Sequence, residues 1–366
     1  MIFSDVIILI VFFLFSFFLY FNRFFYKAIN IISDNESQPS DLLKFSVVIA
    51  VKNEAKNIPG LIVSIKKLFY PKDFYEVIII DDNSEDDSYQ IINDAVKEIE
   101  NIRLYKVGNK ILPGKKGALE FGINKATNPY IIITDGDCLP QKNWLISFAS
   151  KFNMGFDIVF GASPIIKTGS LINNISCFEN LRTTILTFTA ATFGFPYSAA
   201  ARSFGFTKNI YKKINGYKST TETLSGDDDL FIREAIKHNA KIGCFIEKDG
   251  LVFTNSVSSF KDFLKQKARH TSTSFYYLPK HKISLTFWHL TNLFLLFTPL
   301  LIWFNSVFII FFLGKILIDI MLIKKMQRLV SYNFNFGEII YLQIIYELLL
   351  IVNIFNSKLS NIKWKG

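Results

Sequence analysis

Short β-branched runs that each end in a charged or polar turn recur through the middle of this chain, and they restrict its fold more than any other feature. Phe45 to Val51 runs into Lys52-Asn53-Glu54, Val77 to Ile80 into Asp81-Asp82, and Tyr130 to Thr134 into Asp135-Gly136-Asp137. Ile102 to Val107 reads as a further strand. Between them Ala55 to Leu68, Ser88 to Glu100 and Gly117 to Lys125 have helical spacing. Such alternation predicts an α/β domain with a mostly parallel sheet and helices on both faces. Carboxylates at the ends of its strands then lie on the sheet edge where open α/β proteins bind ligands.

Composition sets the surroundings of this domain. The chain is 50% hydrophobic with a mean hydropathy of +0.27, too apolar for an ordinary soluble protein, yet its middle is highly charged. Val6 to Phe21 is apolar and followed by Arg23 and Lys27, without a small-residue cleavage pattern. That predicts an uncleaved anchor over 1–27 rather than a signal peptide. A polar linker containing Pro39 is expected over 28–44, and the α/β domain over 45–255. Ile283 to Ile323 is about twice the roughly 20 residues one crossing needs, so two transmembrane helices turning near Trp303 to Ser306 are expected. Residues 324–366 form a basic loop and a last apolar segment, Ile339 to Phe355, which spans or lies against the bundle.

Lys and Arg flank these segments on one expected side: Arg23 and Lys27, Lys261 to Lys282, and Lys324, Lys325 and Arg328. By the positive-inside tendency the chain is expected to be a multi-pass protein of the cell (inner) membrane with its central domain in the cytoplasm. The net charge of +10 adjoins apolar segments, which favours membrane lipids as partners and not nucleic acid. Cys138, Cys177 and Cys244 are scattered and suggest neither disulfides nor a zinc site. No Walker loop occurs, and no GxGxxG follows the first strand.

Four stretches in fixed order, with two further motifs beyond them, carry a resemblance. Ser46 to Glu54, Ile78 to Ser84, Gly114 to Leu119 and Thr134 to Asp137, resumed at Asp227 and Gln266, look like family-2 glycosyltransferases of the GT-A fold. The resemblance implies that Val51 and Glu54 border the nucleoside and that Asp81 or Asp82 hydrogen-bonds the base, usually uracil. It places Lys115 near the base or phosphates, Asp135 on the ribose side, and Asp137 on a Mg²⁺ or Mn²⁺ ion bridging the diphosphate. Such an ion neutralises the leaving group. Gly226-Asp227-Asp228-Asp229-Leu230 is similar to the family's ED-x-DL element, with glycine for the usual glutamate. Aligning on Leu230 makes Asp227 the catalytic base and Asp229 the supporting carboxylate; the other register selects Asp228. One base suffices for an inverting transfer, whereas a glycoside hydrolase needs two carboxyl groups. Gln266-Lys267-Ala268-Arg269-His270 resembles the QxxRW element, with His270 where tryptophan is expected. Gln266 and Arg269 would close over the diphosphate.

Each motif alone has a bland reading. Asp81 to Ser84 is ordinary turn and cap composition, Asp135-Gly136 is a hairpin signal, and three aspartates before Leu230 suit a helix N-terminus. Their joint order argues for the enzyme. Leu171 to Phe195 reads as a buried core helix or an interfacial element, and 256–282 as an amphipathic helical region at the headgroup level. The expected function is transfer of a sugar from a nucleotide-sugar donor, a UDP-sugar by the resemblance, to a lipid-linked, saccharide or other membrane-proximal acceptor. The alternatives are a processive polysaccharide synthase and a catalytically silent GT-A scaffold or sensor.

Overall fold

The computed structural model describes residues 2–33 and 39–359. Nine strands occur among them: β1 (Phe45–Val51), β2 (Tyr75–Asp81), β3 (Ile102–Lys106), β4 (Tyr130–Asp135), β5 (Cys138–Pro140), β6 (Ile158–Gly161), β7 (Phe204–Thr207), β8 (Ile242–Phe245) and β9 (Val252–Thr254). Seven form one sheet in the order β3-β2-β1-β4-β7-β6-β8. The expected parallel pairing holds for β3, β2, β1 and β4, and again for β6 with β8, while β7 runs antiparallel to both its neighbours. The chain winds outward from β1 to β3 and then returns to place β4 on the other side of β1. This reversal creates a switch point between β1 and β4, and the carboxyl ends of both strands face it. Apolar residues of β1, β2 and β4 are buried on both faces, as in a sheet covered twice over.

Helices α2 (Ile58–Lys66), α3 (Ser88–Val96), α4 (Gly114–Lys125) and α5 (Trp144–Asn153) cover this half. The α4 helix starts three residues earlier than the spacing predicts. Pro113, extended at φ −74°, precedes it, so Lys115 and Lys116 lie in its first turn. The second half adds α6 (Leu171–Thr192), α7 (Lys208–Lys213), α8 (Asp229–Lys237) and α9 (Phe260–Ser274). Of the two readings of the 171–195 segment, the structure shows the buried one: α6 lies between the sheet and the terminal helices with most of its residues inside.

The terminal elements are α1 (Ile2–Ser33), α10 (Pro279–Leu296), α11 (Phe308–Met326) and α12 (Phe336–Leu359). The anchor and linker boundaries at 27 and 28 are corrected: α1 continues through Ser33 without a break. Phe25, Ala28, Ile29 and Ile32 repeat at helical spacing and are all buried, so tertiary packing carries the helix past the apolar run. Residues 34–38 of the expected linker lie outside the described residues. The 283–323 segment does form two helices that part around Trp303, but they differ from the expected clean spans. Two helices are long and apolar enough to cross a membrane among the described residues, Asp5–Ser33 and Phe336–Lys358. The α11 helix carries Lys315 and Asp319 inside the protein, paired to each other. Arg182 of α6 reaches Asp319 at 3.3 Å and Glu347 of α12 at 3.9 Å. Two cations and two anions thus share one buried cluster, each with a partner of opposite sign.

Candidate active site

Three turns meet at the carboxyl edge of the sheet. Asn53 and Asn83 both adopt left-handed backbone, φ 55° and 54°, which asparagine tolerates better than other side chains. Their loops are tied together: Asn53 N–H donates to Ser84 Oγ at 3.0 Å, and Glu85 N–H donates to Asn53 Oδ1 at 2.8 Å. Glu54 is buried and accepts from the Asn57 side chain at 2.6 Å. The Asp135-Gly136-Asp137 turn passes directly over this loop. A Cβ on Gly136 would stand 3.1 Å from Glu54 Cγ and 3.3 Å from Val51 Cγ2, so glycine lets the two chain segments approach. Val51, Glu54 and the acidic turn are therefore brought together.

Of the aspartate pair after β2, the two members differ. Asp82 is engaged by Lys110 at 2.6 and 2.8 Å. Asp81 uses Oδ2 to accept from Ser84 N–H at 3.3 Å, while its buried Oδ1 has no hydrogen-bond partner among the described residues. A leftover buried acceptor at a strand end is costly unless a donor meets it.

The centre of the site is Lys115. Its ammonium lies 2.7 Å from Asp135 Oδ1 and 2.6 Å from Asp227 Oδ2, joining residues 92 positions apart. Burial alone would favour the neutral amine, but the carboxylates of Asp135 and Asp227 outweigh it and hold the pKa above the ordinary lysine value. Burial likewise opposes ionisation of Asp227, and the charge and hydrogen bond of Lys115 more than offset it, so this carboxyl titrates below the usual range. Asp137 behaves oppositely. Burial and the neighbouring Asp135 charge raise its pKa, with the Arg202 cation opposing. Ligand atoms of Asp135, Asp137 and Cys138 lie within 4.8 Å of one another. The two carboxylates suit a hard divalent cation; the Cys138 thiol, fully buried and pushed well above its ordinary pKa, does not.

The aspartate triplet divides its labour. Gly226 has φ +76°, a left-handed conformation that the family's glutamate would adopt only with strain, and the chain turns there to present Asp227 inward. Asp228 is a cap: its carboxylate accepts from Asp229 N–H and from Ala201 N–H, both at 2.7 Å. Asp229 accepts from Ser198 at 2.6 Å, Tyr277 at 2.7 Å and Thr273 at 2.9 Å, which ties α8 to α9 and to the 198–203 loop. Burial and the charges of Asp229 and Asp227 raise the Asp228 pKa well above normal. Among the three, Asp227 alone faces Lys115 and Asp135.

The α9 helix lies beside this triplet through Thr273. No hydrogen bond or ion pair joins its Gln266 or Arg269 to the acidic cluster among the described residues, although Arg269 Nε is buried and unpartnered. Within the region expected to be amphipathic, Phe263 is fully buried against α12, while Phe260, Phe275 and Tyr276 are exposed. Sequence reasoning missed Lys110, Tyr277 and Arg202. Arg202 follows a run of alanines with no motif around it, and only the fold brings it near Asp137.

Residues 46–207 match the family described as Glycosyl transferase family 2. Glycosyltransferase AglE of Haloferax volcanii is 31% identical over 117 residues, 32% of this chain and 38% of that protein. Undecaprenyl-phosphate 4-deoxy-4-formamido-L-arabinose transferase of Yersinia enterocolitica is 30% identical over 127 residues, 34% of this chain and 38% of that protein. The matched region thus spans well under half the length of either relative. In structure, the mannosyltransferase PcManGT from Pyrobaculum calidifontis, solved with GDP-Man and Mn²⁺, aligns over 97% of both chains with a TM-score of 0.58 and 14% identity. That likeness establishes the GT-A-like α/β architecture.

Proposed function

We propose that this chain, whose residues 46–207 belong to glycosyl transferase family 2, is a membrane-anchored, metal-dependent, inverting glycosyltransferase that moves a sugar from a UDP-sugar to a lipid-linked or membrane-proximal acceptor. The observation that carries the reading is the Lys115 bridge. It puts the expected base, Asp227, and the expected nucleotide-side carboxylate, Asp135, within hydrogen-bond reach of one ammonium. A donor placed with its diphosphate over the Asp135 turn would have its anomeric carbon near Asp227.

Each side chain then has a definite task. Asp81 Oδ1 offers the unused acceptor that a uracil N–H requires, and Val51 and Glu54 border the nucleoside. Asp137 and Asp135 would hold a Mg²⁺ or Mn²⁺ ion, which supplies positive charge to the leaving diphosphate. Lys115 exchanges its hydrogen bond to Asp227 for a phosphate oxygen, and Arg202 and Arg269 are the further cations available to that anion. Freed from Lys115, Asp227 takes the proton of the acceptor hydroxyl as that oxygen attacks from the face opposite the nucleotide. Before the donor binds, the Lys115 partner holds Asp227 ionised; loss of that partner leaves burial to raise its pKa and so its strength as a base.

The lipid-linked acceptor is supported by the two apolar helices and by the Yersinia relative, whose name specifies undecaprenyl phosphate. The Lys and Arg distribution supports a cytoplasmic catalytic domain in a multi-pass inner-membrane protein. The test is nucleotide release by the detergent-purified full chain from a panel of nucleotide sugars, with Mn²⁺ or Mg²⁺ and with chelator. Turnover of one UDP-sugar only in the presence of metal is expected. Absence of binding to every donor would sink the proposal and leave the scaffold reading; long products from one acceptor would favour the synthase.

A further inference from the structure

An open cavity of about 510 Å³ separates the catalytic domain from the turn between α11 and α12. Lys167, Lys248 and Arg328 line it, and no carboxylate does. Lys167 is engaged by Glu338 at 3.2 and 3.3 Å. Lys248 and Arg328 are exposed and enter no ion pair or hydrogen bond among the described residues. Two uncompensated cations in one concavity raise its potential and favour an anion there.

The wall is preformed. Ile165 N–H donates to Tyr332 Oη at 2.8 Å, and that hydroxyl donates to Asn180 Oδ1 at 2.8 Å. Tyr332 N–H and Phe334 N–H both bond to Gln327, each at 2.8 Å, and Ser331 between Arg328 and Tyr332 is held at φ +60°. A site built this way does not have to be ordered by its ligand.

Two features specify the ligand. Ile165, Ile166 and Phe253 place apolar surface beside the cations, which suits an amphiphile better than a bare ion. The cavity also adjoins the start of α12, whose Phe336–Lys358 stretch is long and apolar enough to cross a membrane. The neighbouring Lys324 and Lys325 mark the same boundary, and at that depth lipid phosphates sit. We infer that this cavity binds the phosphate of an anionic membrane lipid, with Arg328 and Lys248 as its phosphate ligands. The site is one ladder away from the Asp135-Gly136-Asp137 turn: β5 leaves that turn, pairs with β9, and β9 contributes Phe253 to the cavity.

Native mass spectrometry of the full chain in detergent, titrated with phosphatidylglycerol, phosphatidylcholine or inorganic phosphate, tests this. Each basic group at an anionic lipid surface contributes about fivefold in affinity, so the Arg328→Gln/Lys248→Gln double variant should retain phosphatidylglycerol roughly 25-fold more weakly. Phosphatidylcholine retention should not change, and Lys97→Gln, a charge removed from the opposite part of the sheet, should behave as wild type. Both altered side chains are exposed, and an unchanged thermal unfolding curve verifies that the double variant is folded. Equal retention of the two lipids, or equal phosphatidylglycerol retention by wild type and double variant, would overturn the inference. Displacement of phosphatidylglycerol by millimolar inorganic phosphate would overturn the lipid assignment in favour of a soluble phosphate ligand.

Discussion

At the residue scale, one lysine organises the site. Lys115 lies in a glycine-rich stretch that, taken singly, reads as a flexible loop; its partners Asp135 and Asp227 come from distant turns, so the bridge was not legible in the sequence, and the resemblance put Lys115 only near the base or phosphates. The choice between Asp227 and Asp228 was open in the sequence because adjacent aspartates share composition, and only the direction each side chain takes after Gly226 separates them. Lys115→Met removes the cation between two buried carboxylates and the expected phosphate partner together. Donor affinity measured by calorimetry should fall by about tenfold or more, the size of one hydrogen bond to a charged group. Asp228 gives a prediction of opposite sign. Its folded pKa is raised, so the folded state holds that proton more tightly than the unfolded chain. Stability from this group is full below the ordinary carboxylate range and declines as pH rises towards the folded pKa. Asp228→Asn removes the charge and keeps one acceptor oxygen, for Ala201 N–H, while giving up the bond from Asp229 N–H, and should on balance raise the unfolding temperature near neutral pH relative to wild type. A lower unfolding temperature at pH 7 would show that the ionised cap is stabilising.

At the element scale, long periodic segments were readable and short ones were not. The strands β1, β2 and β4 announce themselves by β-branched runs, β3 by its place in the strand–helix alternation, and their parallel order follows from the helices between them. The strands β5 to β9 have three or four residues each, and β7, Phe204-Gly205-Phe206-Thr207, pairs antiparallel where local sequence carries no sign of direction. The α11 helix shows another limit: its apolar composition suggested a plain span, whereas Lys315 and Asp319 lie i,i+4 on the face turned into the protein. Arg182 joins α6 to that face and to Glu347 of α12. Removing one member of a buried ion cluster strands the others, so Arg182→Met should destabilise the protein by about 3–5 kcal/mol in detergent thermal unfolding. A change below about 1 kcal/mol would mean the cluster is dispensable. The Tyr277 contact to Asp229 couples the turn between α9 and α10 to the aspartate triplet. Tyr277→Phe should lower kcat while leaving the donor dissociation constant unchanged; equal loss in both would make it a binding residue.

At the scale of the whole molecule, a GT-A-like domain is seated on helices drawn from both ends of the chain. The α1 helix packs on α6, α10 and α11, and α12 packs along α9, so the catalytic carboxyl edge and the terminal helices are parts of one structure. The orientation proposal predicts that Lys97→Cys, on the exposed surface of the catalytic domain and in a Cys244→Ser background, reacts with an impermeant maleimide in inside-out vesicles and not in right-side-out ones. The reverse pattern would put the domain outside. The central claim is the division of labour in which Asp227 removes a proton while the Asp135 turn holds the donor. The most direct measurement pairs donor binding with turnover for Asp227→Asn. Donor affinity should stay within a few-fold of wild type while turnover falls by about 10²–10⁴, the usual worth of a general base. Retained turnover in that variant, or loss of donor binding equal to the loss of rate, would contradict that claim.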